Sequence, residues 1–107
     1  MGEFNELIHQ PVRLRIMAAL HALPPGSQLD FGRLRDMLGI TDGNLASHLR
    51  KLEEAGYILV EKTFVGRRPR TYIAITDVGR KAFEAHVEAL RDLLAWEGEA
   101  GEQPPSP

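Results

Sequence analysis

The sequence contains no cysteine, and this absence excludes disulfide bonds and thiolate chemistry. Long apolar runs are also missing. The longest candidates, 16–20 and 57–60, fall far short of the roughly 18 residues that a membrane-spanning helix needs. The N-terminal residues MGEFNEL show no basic segment followed by an apolar one, so no secretory signal is predicted. We therefore expect a cytoplasmic protein that does not associate with a membrane.

Patterns typical of catalytic and metal sites are missing as well. None of the four histidines is paired at helical spacing with another, which argues against a metal site. They are His9, His21, His48 and His86. The sequence has no glycine-rich phosphate loop, no nucleophile elbow and no H-E-x-x-H motif. Its carboxylate pairs fall on predicted solvated surfaces or in the C-terminal segment, whereas acid–base catalysis needs an enclosed pocket. The sequence thus predicts neither an enzyme nor a cofactor.

The formal net charge of −2 conceals an uneven distribution of charge. Residues 62–70 contain four basic side chains and no acidic one, whereas residues 77–107 contain seven acids against three bases. A focused basic patch matters more for binding a polyanion than the total charge does. The middle of the chain is therefore the candidate contact for nucleic acid.

The pattern of apolar residues predicts one domain with one core, since 43% of the 107 residues are hydrophobic. Apolar periodicity, caps and breakers predict helices over 11–23, 31–38, 41–55 and 76–96, and strands over 57–63 and 71–75. A very short strand is expected at Leu29, and Asp30 is expected to cap the second helix. Only Gly39, Ile40 and Thr41 separate the second and third helices, and this spacing is typical of a helix-turn-helix.

The third predicted helix carries the first candidate binding surface. Leu45, Leu49 and Leu52 fall within one narrow arc that should face the core. The opposite arc and its flanks carry polar and cationic groups that can contact bases and phosphates in a major groove. The candidates are Thr41, Asn44, Ser47, His48, Arg50 and Lys51. The alternative is an ordinary solvated face, and His48 in particular could instead serve the packing between helices.

The connection between the two predicted strands carries the second candidate surface. Gly66 and Pro69 predict a loop over 64–70. Arg67, Arg68 and Arg70 repel one another, and no acid close in sequence compensates for them. Contact with DNA phosphates or with a minor groove would relieve that repulsion. The alternative is a charged turn that discourages edge-to-edge pairing of strands.

The last predicted helix, over about 76–96, indicates a homodimer. Its apolar face spans about 200°, which is wider than the stripe a surface helix needs to cover its own domain. The expected interface combines residues of this helix with apolar residues of the N-terminal segment. It comprises Phe4, Leu7, Ile8, Phe83, Val87, Leu90 and Leu94. The alternative is that the N-terminal segment covers the second arc within one subunit. His86 lies in the apolar arc, where a packed or hydrogen-bonded histidine is expected and a sensing role is the alternative.

Beyond this helix, residues 97–107 contain acids, glycine and proline, with Ala100 as their only apolar residue. Such a composition predicts a disordered tail. The expected organisation is therefore a DNA-binding domain over 1–96, which includes the dimerisation helix, followed by this tail.

Three segments carry a family resemblance. TDGNLASHLRKLEEAGYI at 41–58 resembles the recognition-helix stretch of the MarR-type and ArsR-type bacterial winged-helix regulators. GRRPRTY at 66–72 and ITDVGR at 75–80 resemble their wing and the start of their C-terminal helix. The resemblance extends over about residues 7–94. It implies an α+β, mostly α winged helix-turn-helix with three helices, a β-hairpin wing and a long C-terminal helix.

The resemblance also implies a function. A homodimer of this kind would bind double-stranded DNA at a palindromic operator, with one recognition helix of each subunit in the major groove and the wing arginines beside it. The chain lacks the cysteine-rich metal site of the ArsR type and is shorter than a typical MarR-type protein, so the resemblance does not support a metal or effector pocket. A small-molecule effector stays an open alternative for which the sequence offers no support. A sequence-specific regulator, in particular a repressor, is the first hypothesis. A winged-helix module that binds proteins and not DNA is the second.

Overall fold

The computed structural model describes residues 2–102, with side chains described as far as Trp96. Within these described residues, five helices and three strands follow one another. In order they are α1 (Glu6–His9), α2 (Pro11–His21), β1 (Leu29–Asp30), α3 (Phe31–Leu38), α4 (Asp42–Glu54), β2 (Ile58–Val65), β3 (Arg68–Ile75) and α5 (Asp77–Glu102). The predicted helices and strands are all present, and the short helix α1 is an addition that the sequence did not predict.

Side chains just outside the helices determine where three of them begin. The Gln10 side chain accepts a hydrogen bond from the backbone of Arg13 at the start of α2. Asp30 and Thr41 cap α3 and α4 in the same way, as the sequence predicts. Gly39 ends α3 in the left-handed conformation, with φ of 66°, which costs glycine no steric strain. These caps fix the sharp turn between α3 and α4.

The strands form one antiparallel sheet in the order β1-β3-β2. The β2–β3 ladder runs from the pair Ile58–Ile75 to the pair Val65–Arg68, so only Gly66 and Arg67 connect the strands. The loop predicted over 64–70 is therefore wrong. Gly66 has a φ of 66°, whereas Arg67 is not among the described residues with a positive φ, and this combination is typical of a type II′ turn. That turn matches the twist of the strands and lets pairing continue to the tip.

Pro69 lies inside β3, although proline usually interrupts a strand. The residues flanking a two-residue turn exchange hydrogen bonds, and the next pair along the ladder, here Phe64 with Pro69, does not. The nitrogen of Pro69 therefore points away from β2. Strand β1 pairs only with Ile73 and Tyr72, so it does not need that missing donor either. This geometry explains why the strand survives the proline.

The core lies between the helices and the sheet, and it receives buried apolar side chains from every helix. Its buried members are Ile8, Ile16, Met17, Leu20, Leu29, Leu34, Leu38, Leu45, Leu49, Leu52, Ile58, Ile73 and Phe83. The participation of Ile8 shows that the N-terminal segment belongs to the packed body. This arrangement confirms the predicted α+β, mostly α winged helix-turn-helix.

Helix α5 continues to Glu102, beyond the end predicted near residue 96. The part of the predicted tail over 97–102 is therefore helical, and its remainder, 103–107, lies outside the described residues. The long axis of the molecule measures 71 Å against 26 and 23 Å for the other two, because α5 extends beyond the packed body. Across the described residues, no helix combines the length and the apolar character needed to cross a bilayer.

Candidate nucleic-acid interface

Helix α4 separates its apolar and polar side chains onto opposite faces. Leu45, Leu49 and Leu52 are buried against the body of the domain. Asn44 and Ser47 are exposed on the opposite face, together with the cations Arg50 and Lys51. The exposed residues of the predicted surface are Thr41, Asn44, Ser47, Arg50 and Lys51. Helix α4 and its N-cap thus present a polar surface made of short hydrogen-bonding groups and positively charged side chains.

The start of α4 is held by groups that also occupy part of the predicted surface. Thr41 Oγ1 accepts a hydrogen bond from the backbone N–H of Asn44 at 3.1 Å, which leaves its hydroxyl one proton and one lone pair for a ligand. Arg35 Nη1 donates to Asp42 at 2.9 Å, and its Nε donates to Asp36 at 3.0 Å. These hydrogen bonds raise the pKa of Arg35 further above its usual value. Arg35 therefore fixes the turn between α3 and α4.

His48 is only half exposed, unlike the other predicted residues of α4, and one of its ring nitrogens is occupied. Arg13 Nη1 of α2 lies 3.1 Å from His48 Nδ1. Because a guanidinium can only donate, Nδ1 is the acceptor and the ring proton sits on Nε2. Burial lowers the pKa of His48, and the charges of Arg13 and Lys51 lower it further. The structure thus favours the packing role for His48, with Nε2–H as the one donor left to it.

Arg13 is a residue that the sequence reasoning missed. Besides contacting His48, it donates from Nε to the carbonyl of Leu7 at 2.7 Å. One side chain therefore joins the N-terminal segment, α2 and the helix that presents the polar surface. His48 is 35 residues away along the chain, so no local pattern could have indicated the pair.

The three wing arginines occupy different positions. Arg67 lies in the turn itself, and Arg68 is the first residue of β3. Arg70 Nη1 instead lies 3.4 Å from Asp30 Oδ1, the residue that caps α3. No acid lies close to these arginines in the sequence, but folding brings Asp30 to Arg70 from 40 positions away. The mutual repulsion predicted from the sequence applies to Arg67 and Arg68.

A groove lies between α4 and the wing. Ala46 and Arg50 line it from α4, while Val60, Lys62 and Thr71 line it from the sheet. Lys62 is a further cation that was not among the predicted site residues, although its place in the basic segment was a signal for it. Glu53 of α4 also borders the groove, and its negative charge offsets the nearby cations. The uncompensated positive charge therefore lies toward the tip of the wing.

The residues predicted to form a dimer interface divide into two groups. Ile8 and Phe83 are buried within one chain, and Leu7 and Val87 pack against the same core. These four have little surface left for a partner, which corrects the expected interface. Phe4 and Leu94 are exposed and Leu90 is half buried. The N-terminal segment thus covers the first part of α5 within one subunit, as the alternative prediction held.

His86 is the centre of this contact and is fully buried. Its Nδ1 accepts a hydrogen bond from the backbone N–H of Asn5 at 2.9 Å, and its Nε2 lies 3.3 Å from Nδ1 of His9. The ring of Phe4 packs edge-on against it, with centroids 4.8 Å apart. Burial lowers the pKa of His86, and His9 lowers it further. These contacts make His86 the hydrogen-bonded core residue that the sequence indicated.

The comparison with known families covers most of the chain. A family model described as a winged helix DNA-binding domain matches residues 12–94. The uncharacterized protein MJ0432 of Methanocaldococcus jannaschii is 36% identical over 88 residues, which cover 82% of this chain and 92% of that protein. The similarity therefore includes the helix-turn-helix, the wing and the body of α5 together.

Two solved structures extend this result. A transcriptional regulator homologue from Pyrococcus horikoshii OT3 has a TM-score of 0.76 and 33% identity, covering 85% of this chain and 87% of that chain. A protein assigned to the MarR family of transcriptional regulators, from Enterococcus faecalis V583, has a TM-score of 0.62 and 26% identity. That match covers 91% of this chain and 81% of the other. The similarity concerns the whole architecture and not a single motif.

Proposed function

Because this chain belongs to the winged helix DNA-binding domain family and is a transcriptional regulator of the MarR type, we propose that it represses transcription as a homodimer bound to a palindromic operator. The observation that carries the proposal is the exposed polar face of α4, which stands beside a wing with arginines at its tip. The family is a class of DNA-binding proteins and not of enzymes. We also expect a cytoplasmic location, because the proposed DNA partner lies inside the cell.

Each surface has a distinct part in this proposal. Asn44 and Ser47 are short enough to bond base edges in a major groove, where donors and acceptors distinguish the base pairs. Arg50 and Lys51 extend from the same face and neutralise phosphates or contact guanine. The hydroxyl proton of Thr41 and the Nε2–H of His48 complete the predicted set as phosphate donors. Contacts to base edges, by Asn44 and Ser47 and by a cation that reaches guanine, determine the sequence that is bound, and the phosphate contacts determine affinity.

The wing supports the recognition helix from the side. Arg67 and Arg68 are exposed and lie at its tip, so they can reach a minor groove or its phosphates. Arg70 has a different task, because its ion pair with Asp30 ties β3 to the start of α3. We expect Arg70 to orient the wing more than to bind DNA.

The homodimer is supported by the part of α5 that its own chain leaves bare. Leu93, Leu94 and Trp96 are exposed apolar side chains near the end of the described helix. A second copy packed there would cover them and give the assembly a two-fold axis, which a palindromic operator requires. A dimer that occupies promoter DNA excludes the transcription machinery, and repression needs nothing more than that occupancy.

The test is a titration of a fluorescently labelled duplex from the region upstream of the gene, followed by anisotropy at two salt concentrations. A scrambled duplex of the same composition gives the reference. Ser47→Ala should reduce the preference for the native duplex about tenfold while leaving affinity for the scrambled one nearly unchanged, since a lost base contact costs discrimination. An equal loss on both duplexes would contradict base recognition by Ser47.

Arg67→Ala tests the phosphate contact. Removing one phosphate contact should lower affinity on both duplexes and reduce the slope of log K against log salt by about one. The matched control is Lys81→Ala, which removes another exposed cation from α5, and its slope should equal that of the unmodified protein. If the unmodified protein shows no salt-dependent preference for the native duplex, the module that binds proteins becomes the better description.

A further inference from the structure

The wing carries an apolar side chain that its charges do not explain. Phe64 is 72% exposed, the largest value among the exposed large hydrophobic residues that the structure describes. It stands in β2 directly opposite Pro69, so two apolar groups form a cross-strand pair next to the turn. A side chain so exposed contributes little to the core of the domain.

The alternation of side chains along β2 determines which way Phe64 points. Ile58 is buried on the core side of the strand, and Val60 and Lys62 follow it on the same side at intervals of two residues. Val60 and Lys62 line the groove together with Ala46 and Arg50 of α4. Phe64 is the next residue in this row, so it extends the groove toward the tip on the side of α4.

The charges around Phe64 select its partner. Lys62 precedes it in the same row and Arg67 lies in the adjacent turn, whereas Glu61 and Arg68 point to the opposite side of the hairpin. A partner for this surface must therefore combine negative charge with apolar or aromatic surface. DNA does so, because its phosphates flank sugar and base faces within a few ångströms. The polar face of α4 next to the same groove favours DNA over an acidic protein or an anionic membrane.

We propose that Phe64 is an apolar DNA contact of the wing, which packs against sugar and base surface in the groove flanking the site of α4. The inference rests on the proposed function, and it adds a contact of a different physical kind from those of the arginines. Apolar side chains can wedge against base steps in a minor groove, and an aromatic ring can stack on any base. The contact would add affinity with little dependence on salt, because it releases no counterion.

Phe64→Ser is the direct test, measured with the same duplex at several salt concentrations. We expect affinity to fall about tenfold, as for the loss of one aromatic–base contact, with the slope of log K against log salt unchanged. Arg67→Ala should show the opposite pattern, with a reduced slope. Phe64→Trp should retain affinity, and its emission should change on addition of DNA by more than that of the unmodified protein, whose single tryptophan is Trp96.

Val65→Ser is the matched control, because Val65 is 56% exposed and neighbours Phe64 on the opposite side of the same strand. It should bind DNA like the unmodified protein. Melting temperatures of both serine variants should fall by less than about 5 °C, which shows that the hairpin is intact. Equal losses of affinity for the two variants, or no loss for Phe64→Ser, would overturn the proposal.

Two further outcomes separate this proposal from its premises. Absence of DNA binding by the unmodified protein would refute the proposed function itself, before any variant is measured. A Phe64→Ser variant that binds DNA normally but loses binding to phosphatidylglycerol vesicles would assign the surface to a membrane and overturn the DNA contact.

Discussion

The two halves of α5 have the same amphipathic pattern but different environments. In the first half, Gly79, Phe83 and His86 are buried against the body of the domain. Near the end of the described side chains, Leu94 and Trp96 are 64% and 67% exposed. One helix therefore has a first half that packs against its own chain and a second half whose apolar side chains are exposed. Apolar periodicity alone does not distinguish a face that the chain covers itself from a face that it leaves to a partner.

The difference is explained by what reaches each half. The N-terminal segment lies along the first half, where Asn5 bonds both His86 and Tyr57. Gly2 approaches the Ala85 carbonyl so closely that no Cβ fits between them. Beyond Leu90 the helix extends past the packed body, and the described side chains on it are exposed. The first half is thus part of the monomer, and the second half is the surface that we propose for a second copy.

The largest expected effect is on stability, through the packed first half of α5. Gly79 stands so close to the Tyr57 carbonyl that a Cβ would collide with backbone atoms, which cannot move aside as a flexible side chain can. Gly79→Ala should therefore lower the free energy of unfolding by about 3 kcal/mol, as overpacking does. Gly43→Ala is the control, because Gly43 lies in α4 with open space around it, and it should raise stability by up to about 1 kcal/mol. Chemical denaturation measures both, and a tolerated Gly79→Ala would mean that α5 is not fixed at its base.

The next largest effect is on dimerisation, through the exposed second half of α5. Leu94→Glu should shift the protein toward monomers, with a dissociation constant raised at least about 100-fold, since a buried unpaired carboxylate costs several kcal/mol. Val78→Glu is the control, because Val78 is 60% exposed at the opposite end of the same helix. Sedimentation equilibrium should show the control assembling like the unmodified protein. Equal dissociation of both variants, or of neither, would place the interface elsewhere.

The same division separates what the sequence predicts from what it does not. The caps at Asp30 and Thr41 and the left-handed Gly39 act over three or four residues, so a local pattern indicates them correctly. The pairs Arg13–His48 and Arg70–Asp30 join residues that are 35 and 40 positions apart, and only the folded chain brings them together. They change the interpretation of two predicted site residues, from DNA contact toward internal support.

The hairpin shows an intermediate case. Gly66 correctly marks the turn, but Pro69 predicted a break that did not occur. The effect of proline on a strand depends on whether its nitrogen faces a partner, and that depends on register. Register follows from the length of the turn, which the sequence left undetermined. The additional helix at Glu6–His9 was missed for a related reason, since four residues are too few for a periodic signal.

The smallest expected effect is a dependence of stability on pH. It tests the contact between the N-terminal segment and α5 in the unmodified protein. The pKa values of His86 and His48 are lowered in the folded protein, so folding favours their neutral forms. Their contribution is complete above the ordinary value of 6.5 and is lost as the pH falls through the lower folded value. A proton on His86 Nδ1 would face the N–H of Asn5, which now donates to it, while Nε2 faces His9.

Chemical denaturation at about pH 7.5 and about pH 5.5 should therefore show lower stability at the acidic value. His86→Asn keeps an acceptor near the position of Nδ1 but cannot titrate, so its loss of stability on acidification should be smaller than that of the unmodified protein. His48→Asn, whose partner is Arg13, should remove a further part of the loss in the double variant. A double variant that loses as much stability as the unmodified protein would show that other groups cause the dependence. In that case the neutral His86 would serve only to pack the N-terminal segment, and acid would not loosen it from α5.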